Sequence, residues 1–428
     1  MSFRFCHLDL FCLPAGRQEF CALIFEFNCN IAMDRNKHIG YRPTWAEINL
    51  GNLEYNFKQV KKLLAPQTKV MVTVKADAYG HGLIPVAKRL ISCGVDYLGV
   101  ASIDEGIRLR QEKIKLPILV LGAVLKNDIG PLFRYNLALT LCTEELAAAL
   151  NNKGRSLGKQ INVHIKVDTG MGRLGVLCGD ALGFIKKVRH LRFINIEGLF
   201  THFPLADTNK SFTLYQINLF NHLIKKLNKL GINIPLVHAA NSMGIAGYKN
   251  SHFNMVRPGL VIYGLYPKEN FPAFRLSGIP QRAGKAGSRN MREDMKLKPV
   301  LSLKTKVVYI KKVPKGYGIS YGHDYVTKND TTIVTLPIGY GDGYARNLSN
   351  QAPVLIRGKY FTISGRVCMD QIMIDVGGKA VKVGDEVVLI GAQGKNKITT
   401  EELARLSGTI PYEIVCGLGS RIPRVYVK

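Results

Sequence analysis

Apolar and polar residues change their rhythm once, and sharply, along this 428-residue chain. From about Lys69 to Gly264, short β-branched and aliphatic runs alternate with amphipathic stretches. The runs are Val70–Val74, Asp96–Ala101, Pro117–Gly122, Leu137–Leu141, Ile161–Val167, Ile194–Thr201, Leu236–Ala239 and Asn254–Val256. Helical patterns over Leu83–Cys93, Glu144–Leu150, Ala181–His190 and Phe212–Leu230 lie between several of them. Eight strand–helix units in this length predict a closed (β/α)₈ barrel of the TIM type. An open dinucleotide-binding sheet would need a G-x-G-x-x-G turn after the first strand, and none follows that strand.

From Leu301 onward the pattern becomes mainly β, with Gly and Pro as punctuation. Strands are expected at Leu303–Ile310, Thr332–Leu336, Val354–Arg357, Thr362–Cys368 and Glu386–Ile390, with one short helix near Thr400–Leu406. The division that follows is a barrel over 41–267 and a β domain over 298–428, with 41–51 a candidate outer strand of the latter. Residues 1–40 and the basic, glycine-rich stretch 268–297 fit neither and are expected to be flexible and dispensable, with Met33 an alternative start.

Composition narrows the classes. No apolar run reaches the roughly 18–20 residues of a membrane span, and acidic and basic residues interrupt the apolar first 33 positions. The nine cysteines form no C-x-x-C pair, as expected for reduced thiols in the cytoplasm. A net charge of +28 would suit nucleic acid, but the lysines are scattered over helix faces and no recognition signature accompanies them. No nucleic-acid or membrane partner is expected. Metal-ligand spacings such as H-E-x-x-H are also missing.

Chemistry is expected where the strands end, because a barrel collects those positions at one mouth. Lys75 follows strand one in Val72-Thr73-Val74-Lys75-Ala76-Asp77-Ala78-Tyr79-Gly80-His81-Gly82. A partly desolvated lysine there can form a Schiff base with an aldehyde cofactor. Asp168 and Arg173 follow strand five, His202 strand six, Asn241 and Ser242 strand seven, and Arg257, Gly259 and Leu260 strand eight. Loops seven and eight often bind phosphate through backbone N–H groups and small hydroxyls. Singly, each of these residues has an ordinary structural explanation: a surface lysine, a helix cap, a packed histidine, a salt-bridged arginine. Together they are harder to dismiss.

The lysine string, Lys166-Val167-Asp168-Thr169-Gly170-Met171-Gly172-Arg173 and Gly316-Tyr317-Gly318-Ile319-Ser320-Tyr321-Gly322-His323 resemble the motifs of alanine racemases. These are pyridoxal 5′-phosphate enzymes with a barrel and a β domain. The resemblance runs from about Arg42 to the C-terminus, apart from 268–297. It implies racemisation of alanine by two bases, Lys75 acting on D-alanine and Tyr321 on L-alanine, to supply D-alanine for peptidoglycan. It also implies that Arg257 faces the cofactor's ring nitrogen, with His202 beside it, and that Tyr79, Asn241, Ser242, Gly259 and Leu260 hold the cofactor. Arg173 and Met369 would contact substrate, Lys166 would be carbamylated to orient Arg173, and Tyr340 and Asp370 would narrow the entrance. Tyr321, Met369, Tyr340 and Asp370 would reach the site from a second subunit, making a homodimer with shared active sites. One departure is Ser420, where many relatives carry a tyrosine. The alternatives are a broader racemase for serine or lysine and, more distantly, a non-catalytic cofactor-carrying barrel; the latter class lacks a β domain with its tyrosine.

Overall fold

The computed structural model describes residues 41–267 and 295–428. The extension at 1–40, and 268–294 of the expected insert, lie outside them. The eight expected strands all form: Lys69–Thr73, Tyr97–Val100, Ile118–Val120, Ala138–Leu141, Ile161–Asp168, Ile194–Phe200, Leu236–His238 and Met255–Val256. Each pairs in parallel with the next, and the last pairs with the first, Met255 opposite Lys69 and Val256 opposite Val70. Closure leaves these eight strands no free edge, apart from a two-residue addition, Val176–Leu177, on strand five.

Strand alternation now decides which side chains face the chemistry. Val70, Val72 and Val74 pack outward among the helices, whereas Met71 joins an inner cluster with Tyr97, Leu119, Ala138, Leu236 and Met255. Lys75 continues the inner parity of Met71 and Thr73. The same count carries His164, Lys166 and Asp168 inward on strand five, and Met255 and Arg257 on strand eight. Gly198 makes room for this filling, since a Cβ there would collide with the His164 ring.

The β part begins with the strand Thr44–Asn49, which lies between Leu301–Lys306 and the C-terminal Arg424–Val427. Two expectations change here. The run Leu303–Ile310 is two strands, Leu301–Lys306 and Tyr309–Val313, in different sheets. Val307 and Val308 cross between them, with the Val308 N–H already turned to the Thr335 carbonyl. The run Thr362–Cys368 is mostly loop: its strand, Lys359–Thr362, ends where the expectation began. Gly365 takes φ 89° there, and the N–H groups of Gly365 and Val367 go to the Asn350 and Ser349 side chains instead of a ladder. The helix at Thr400–Leu406 forms as expected, and a second, Pro411–Cys416, follows. Buried Asn56 ties the two parts together, bonding to the carbonyls of Ile262 and Lys298 and accepting from the Lys298 N–H. No helix among the described residues is long and apolar enough to cross a membrane.

Candidate active site

The chain leaves strand one through a turn of the wrong hand. Ala76, Asp77, Ala78 and Tyr79 all lie near φ +53° (52, 53, 54 and 54°), a left-handed helical turn with no glycine in it. For L-residues this costs roughly 1–2 kcal/mol each, so the surroundings must impose it. They do so with hydrogen bonds at both ends. Glu105 accepts from the Ala76 N–H at 2.6 Å. His81 Nδ1 lies 3.1 and 2.8 Å from the carbonyls of Ala78 and Tyr79. Both partners are acceptors, so Nδ1 carries the proton. Burial pushes the His81 imidazole down to about 4, keeping it neutral. Arg424 Nε donates to the Gly80 carbonyl at 3.0 Å, while its other nitrogens hold the carbonyls of Leu418, Gly419 and Ile422.

Lys75 thus enters a cavity of about 750 Å³ at the carboxyl ends of the strands. Its lining brings together Tyr79 of the lysine motif, Arg173, His202, Asn241, Ser242, Arg257, Gly259 and Leu260, which the sequence placed at the mouth, and Lys166, which only the second motif singled out. Burial, reinforced by the Arg173 charge, lowers the Lys75 ammonium below its ordinary range, and Glu105 works against that shift. Lys166, 3 % exposed with its Nζ 5.6 Å from the Phe200 ring, is lowered to about 8 by burial and then by Arg173 and Arg257. Asp168 shapes the loop carrying Arg173, accepting from the N–H groups of Gly170, Met171 and Gly172 at 2.7–2.8 Å.

Arg257 forms the floor. Its guanidinium donates to the carbonyls of Thr201 at 2.6 Å and Ala239 at 3.0 Å, and to His238 Nδ1 at 2.7 Å. Burial pulls it down to about 9, which leaves it charged at neutral pH. Burial and then Arg257 hold His238 well below the usual imidazole range, so Nδ1 is an acceptor and Nε2–H faces His164 Nδ1 at 2.8 Å. His164 Nε2 in turn approaches Glu197 at 3.4 Å, and the Tyr97 hydroxyl donates to the same carboxylate oxygen at 2.6 Å. A directed chain of hydrogen bonds therefore runs from Arg257 through the barrel interior. His202 lies beside the fork, Nδ1 3.4 Å from Arg257, and is kept neutral by burial and the surrounding cations.

Opposite the fork, Ser242 Oγ accepts from the Gly259 N–H at 3.0 Å. A Cβ at Gly259 would stand 2.7 Å from the Tyr79 hydroxyl, so the glycine lets these groups converge. Hydroxyls and backbone N–H groups gathered next to a helix start at Ser242 suit a phosphate, and Arg257 suits a ring nitrogen that accepts. The residues present fit pyridoxal 5′-phosphate.

Tyr321, Met369 and Asp370 line a separate, open recess with Ser320, Cys368 and Gln371. Tyr321 is 71 % exposed, in a 3₁₀ turn inside the hairpin of Gly318–Ile319 and Tyr325–Val326. Arg421 holds the Asp370 carboxylate at 2.7 Å, and Tyr340 sits alongside, its N–H on the Cys368 carbonyl. Ser420 is exposed and does not line the Lys75 cavity; Tyr412 and Cys416 of the helix Pro411–Cys416 do, and neither stood out in the sequence. Glu105 was also missed, though Ser102-x-x-Glu105 is a capping-box spacing that could have drawn notice.

Fold and site together give a (β/α)₈ barrel whose mouth gathers a lysine, an arginine and a hydroxyl–amide cradle suited to an anionic aldehyde cofactor. Comparison with known proteins supplies the family. Residues 48–267 match the alanine racemase N-terminal domain and residues 300–426 the alanine racemase C-terminal domain. The alanine racemase of Halothermothrix orenii is 50 % identical over 393 residues, 91 % of this chain and 98 % of that protein. That of Carboxydothermus hydrogenoformans is 45 % identical over 388 residues, covering 90 % and 100 %. Among solved structures, Clostridium difficile 630 alanine racemase superposes with a TM-score of 0.82 at 40 % identity, covering 91 % of this chain and 96 % of that one. The Bacillus anthracis enzyme with bound L-Ala-P gives 0.81 at 37 %, with the same coverage. The chain belongs to the alanine racemase family, isomerases whose cofactor is pyridoxal 5′-phosphate.

Proposed function

We propose that this protein interconverts L- and D-alanine in the cytoplasm, supplying D-alanine for peptidoglycan, with Lys75 and Tyr321 as the two proton carriers. The observation that carries the reading is the gathering of Lys75, Arg257 and the Ser242–Gly259 cradle in one cavity. Tyr79, Asn241, Ser242, Gly259 and Leu260 would hold the cofactor's phosphate end, and Arg257 its ring nitrogen. When bound, pyridoxal 5′-phosphate supplies an aldehyde for the amino group and a ring that accepts charge from the α-carbon. Because Arg257 stays protonated, it donates a hydrogen bond and keeps its proton, which limits that acceptance and disfavours transamination.

Lys75 works from one face of the α-carbon, and burial with the Arg173 charge, by lowering its ammonium, favours the amine form that a base requires. Tyr321 works from the other face, contributed by a second copy of this chain in a homodimer. Arg173 binds the substrate carboxylate, and Met369, Tyr340 and Asp370 of the second copy frame the entrance. Lys166 is carbamylated: its amine, poised near pH 8, forms an N–C bond to carbon dioxide and releases a proton to water. Labelled bicarbonate giving no carbamate carbon signal would remove that last role.

Transfer of solvent deuterium to the α-carbon tests the pair. Tyr321→Phe should still exchange the D-alanine proton while losing exchange on L-alanine. Equal loss on both enantiomers would refute the assignment. Arg257→Glu should raise transamination relative to racemisation, read as pyruvate against D-alanine; unchanged partitioning would refute its role.

A further inference from the structure

We infer that Glu105 is a positioning residue for Lys75, clamping the start of the left-handed turn to the neighbouring strand–helix loop. It occupies the third position of the helix Ile103–Gln111, after the N-cap Ser102, whose hydroxyl accepts from the Glu105 N–H at 3.4 Å. An ordinary capping box would send the carboxylate back to the Ser102 N–H. Here one oxygen accepts instead from the Ala101 N–H at 2.7 Å, and the other crosses 29 positions to the Ala76 N–H at 2.6 Å. The cap has been diverted from its own helix onto the residue after Lys75.

The diversion has a reason. Ala76 is the first of four consecutive left-handed residues. Its N–H is one of the first-turn donors of the helix Lys75–Tyr79, which no residue of that turn can satisfy. Ala78, Gly80 and Gly82 find backbone carbonyls at Val74, Ala76 and Asp77, but Ala76 depends on Glu105. A glutamine offers one acceptor oxygen where two N–H groups need one each, and its NH₂ would face a donor. The negative charge, with two acceptor oxygens, therefore matters as well as the shape. It also lies close enough to Lys75 to favour the ammonium, opposing Arg173.

The inference rests on Lys75 being the cofactor lysine, so the test reads the turn and the lysine separately. Full-length protein loaded with pyridoxal 5′-phosphate is compared with Glu105→Gln, Glu105→Ala and the control Ser102→Ala, which removes the helix cap without touching Ala76. Hydrogen exchange at the Ala76 amide should rise about tenfold or more in both Glu105 variants, the effect of losing one charge-assisted bond, and stay near wild type in Ser102→Ala. Release of the cofactor should accelerate in both Glu105 variants and stay near wild type in Ser102→Ala. Exchange unchanged in the Glu105 variants, or raised equally by Ser102→Ala, would overturn the clamp. Borohydride fixing the cofactor to a lysine other than Lys75 would overturn the role of Lys75 and the purpose of the clamp, whatever the exchange shows.

Discussion

Lys75 and Tyr321 sit in opposite physical settings. Every constraint on the lysine comes from its own chain: a strained turn, a diverted carboxylate, a buried imidazole, a C-terminal guanidinium. The tyrosine projects from a hairpin into solvent, in a recess with no part of the Lys75 cavity in its wall. Under the proposed two-base reading, one half of the chemistry is finished when this chain folds, and the other half is a surface awaiting a counterpart. The contrast teaches how a single subunit could preorganise cofactor capture without a complete site of its own.

The strongest way to break this contrast is to remove the finished half. Lys75→Ala should lower racemisation by about 10⁴-fold or more in both directions and abolish the visible band of the loaded protein, as loss of an attachment point and base together requires. A retained band would show that another residue captures the cofactor. Tyr321→Phe should cost about 10²–10⁴-fold while the band stays. Coexpressing the two variants then sharpens the comparison: hybrid dimers carry one site with both residues intact, so activity should return. If mixing restores nothing above the separate variants, each chain uses its own tyrosine.

Smaller effects probe the packing around the lysine. His81 is neutral when folded, at about 4, and near 6.5 when unfolded. Above pH 6.5 both states are neutral. From 6.5 down to 4 the unfolded chain takes a proton that the folded chain refuses, so stability falls, by about 3 kcal/mol at most. Urea midpoints of wild type and His81→Gln should therefore diverge at neutral pH and converge toward pH 4. Parallel pH curves would contradict the buried neutral imidazole. Gly259→Ala should be milder still, loosening cofactor retention by about tenfold through the contact its methyl makes with Tyr79, with racemisation restored by excess cofactor. Retention equal to wild type would mean that Tyr79 yields freely.

Much of this was legible because periodicity encodes it. Eight apolar runs gave the barrel, and the residues expected after strands one, five, six, seven and eight did converge on one cavity, except Asp168, whose carboxylate turns to the loop amides instead. The turn after Lys75 was invisible: Ala-Asp-Ala-Tyr has no glycine to announce a left-handed path, and the residues that enforce it come from positions 81, 105 and 424. The chain from Arg257 through His238 and His164 to Glu197 was likewise hidden, since it appears only once closure turns alternate residues inward. In the β part, the runs at 303–310 and 362–368 misled because hydrophobic β-branched residues also line crossovers and loops under a sheet.

The Arg424 contact reaches into biosynthesis. A residue 344 positions beyond Gly80 helps secure the turn that presents Lys75. While the ribosome still conceals Arg424, the barrel can be fully translated yet lack that last fastening. Capture of the cofactor should consequently wait for Arg424 to emerge, and nascent chains stalled before it does should stay colourless where longer ones turn yellow.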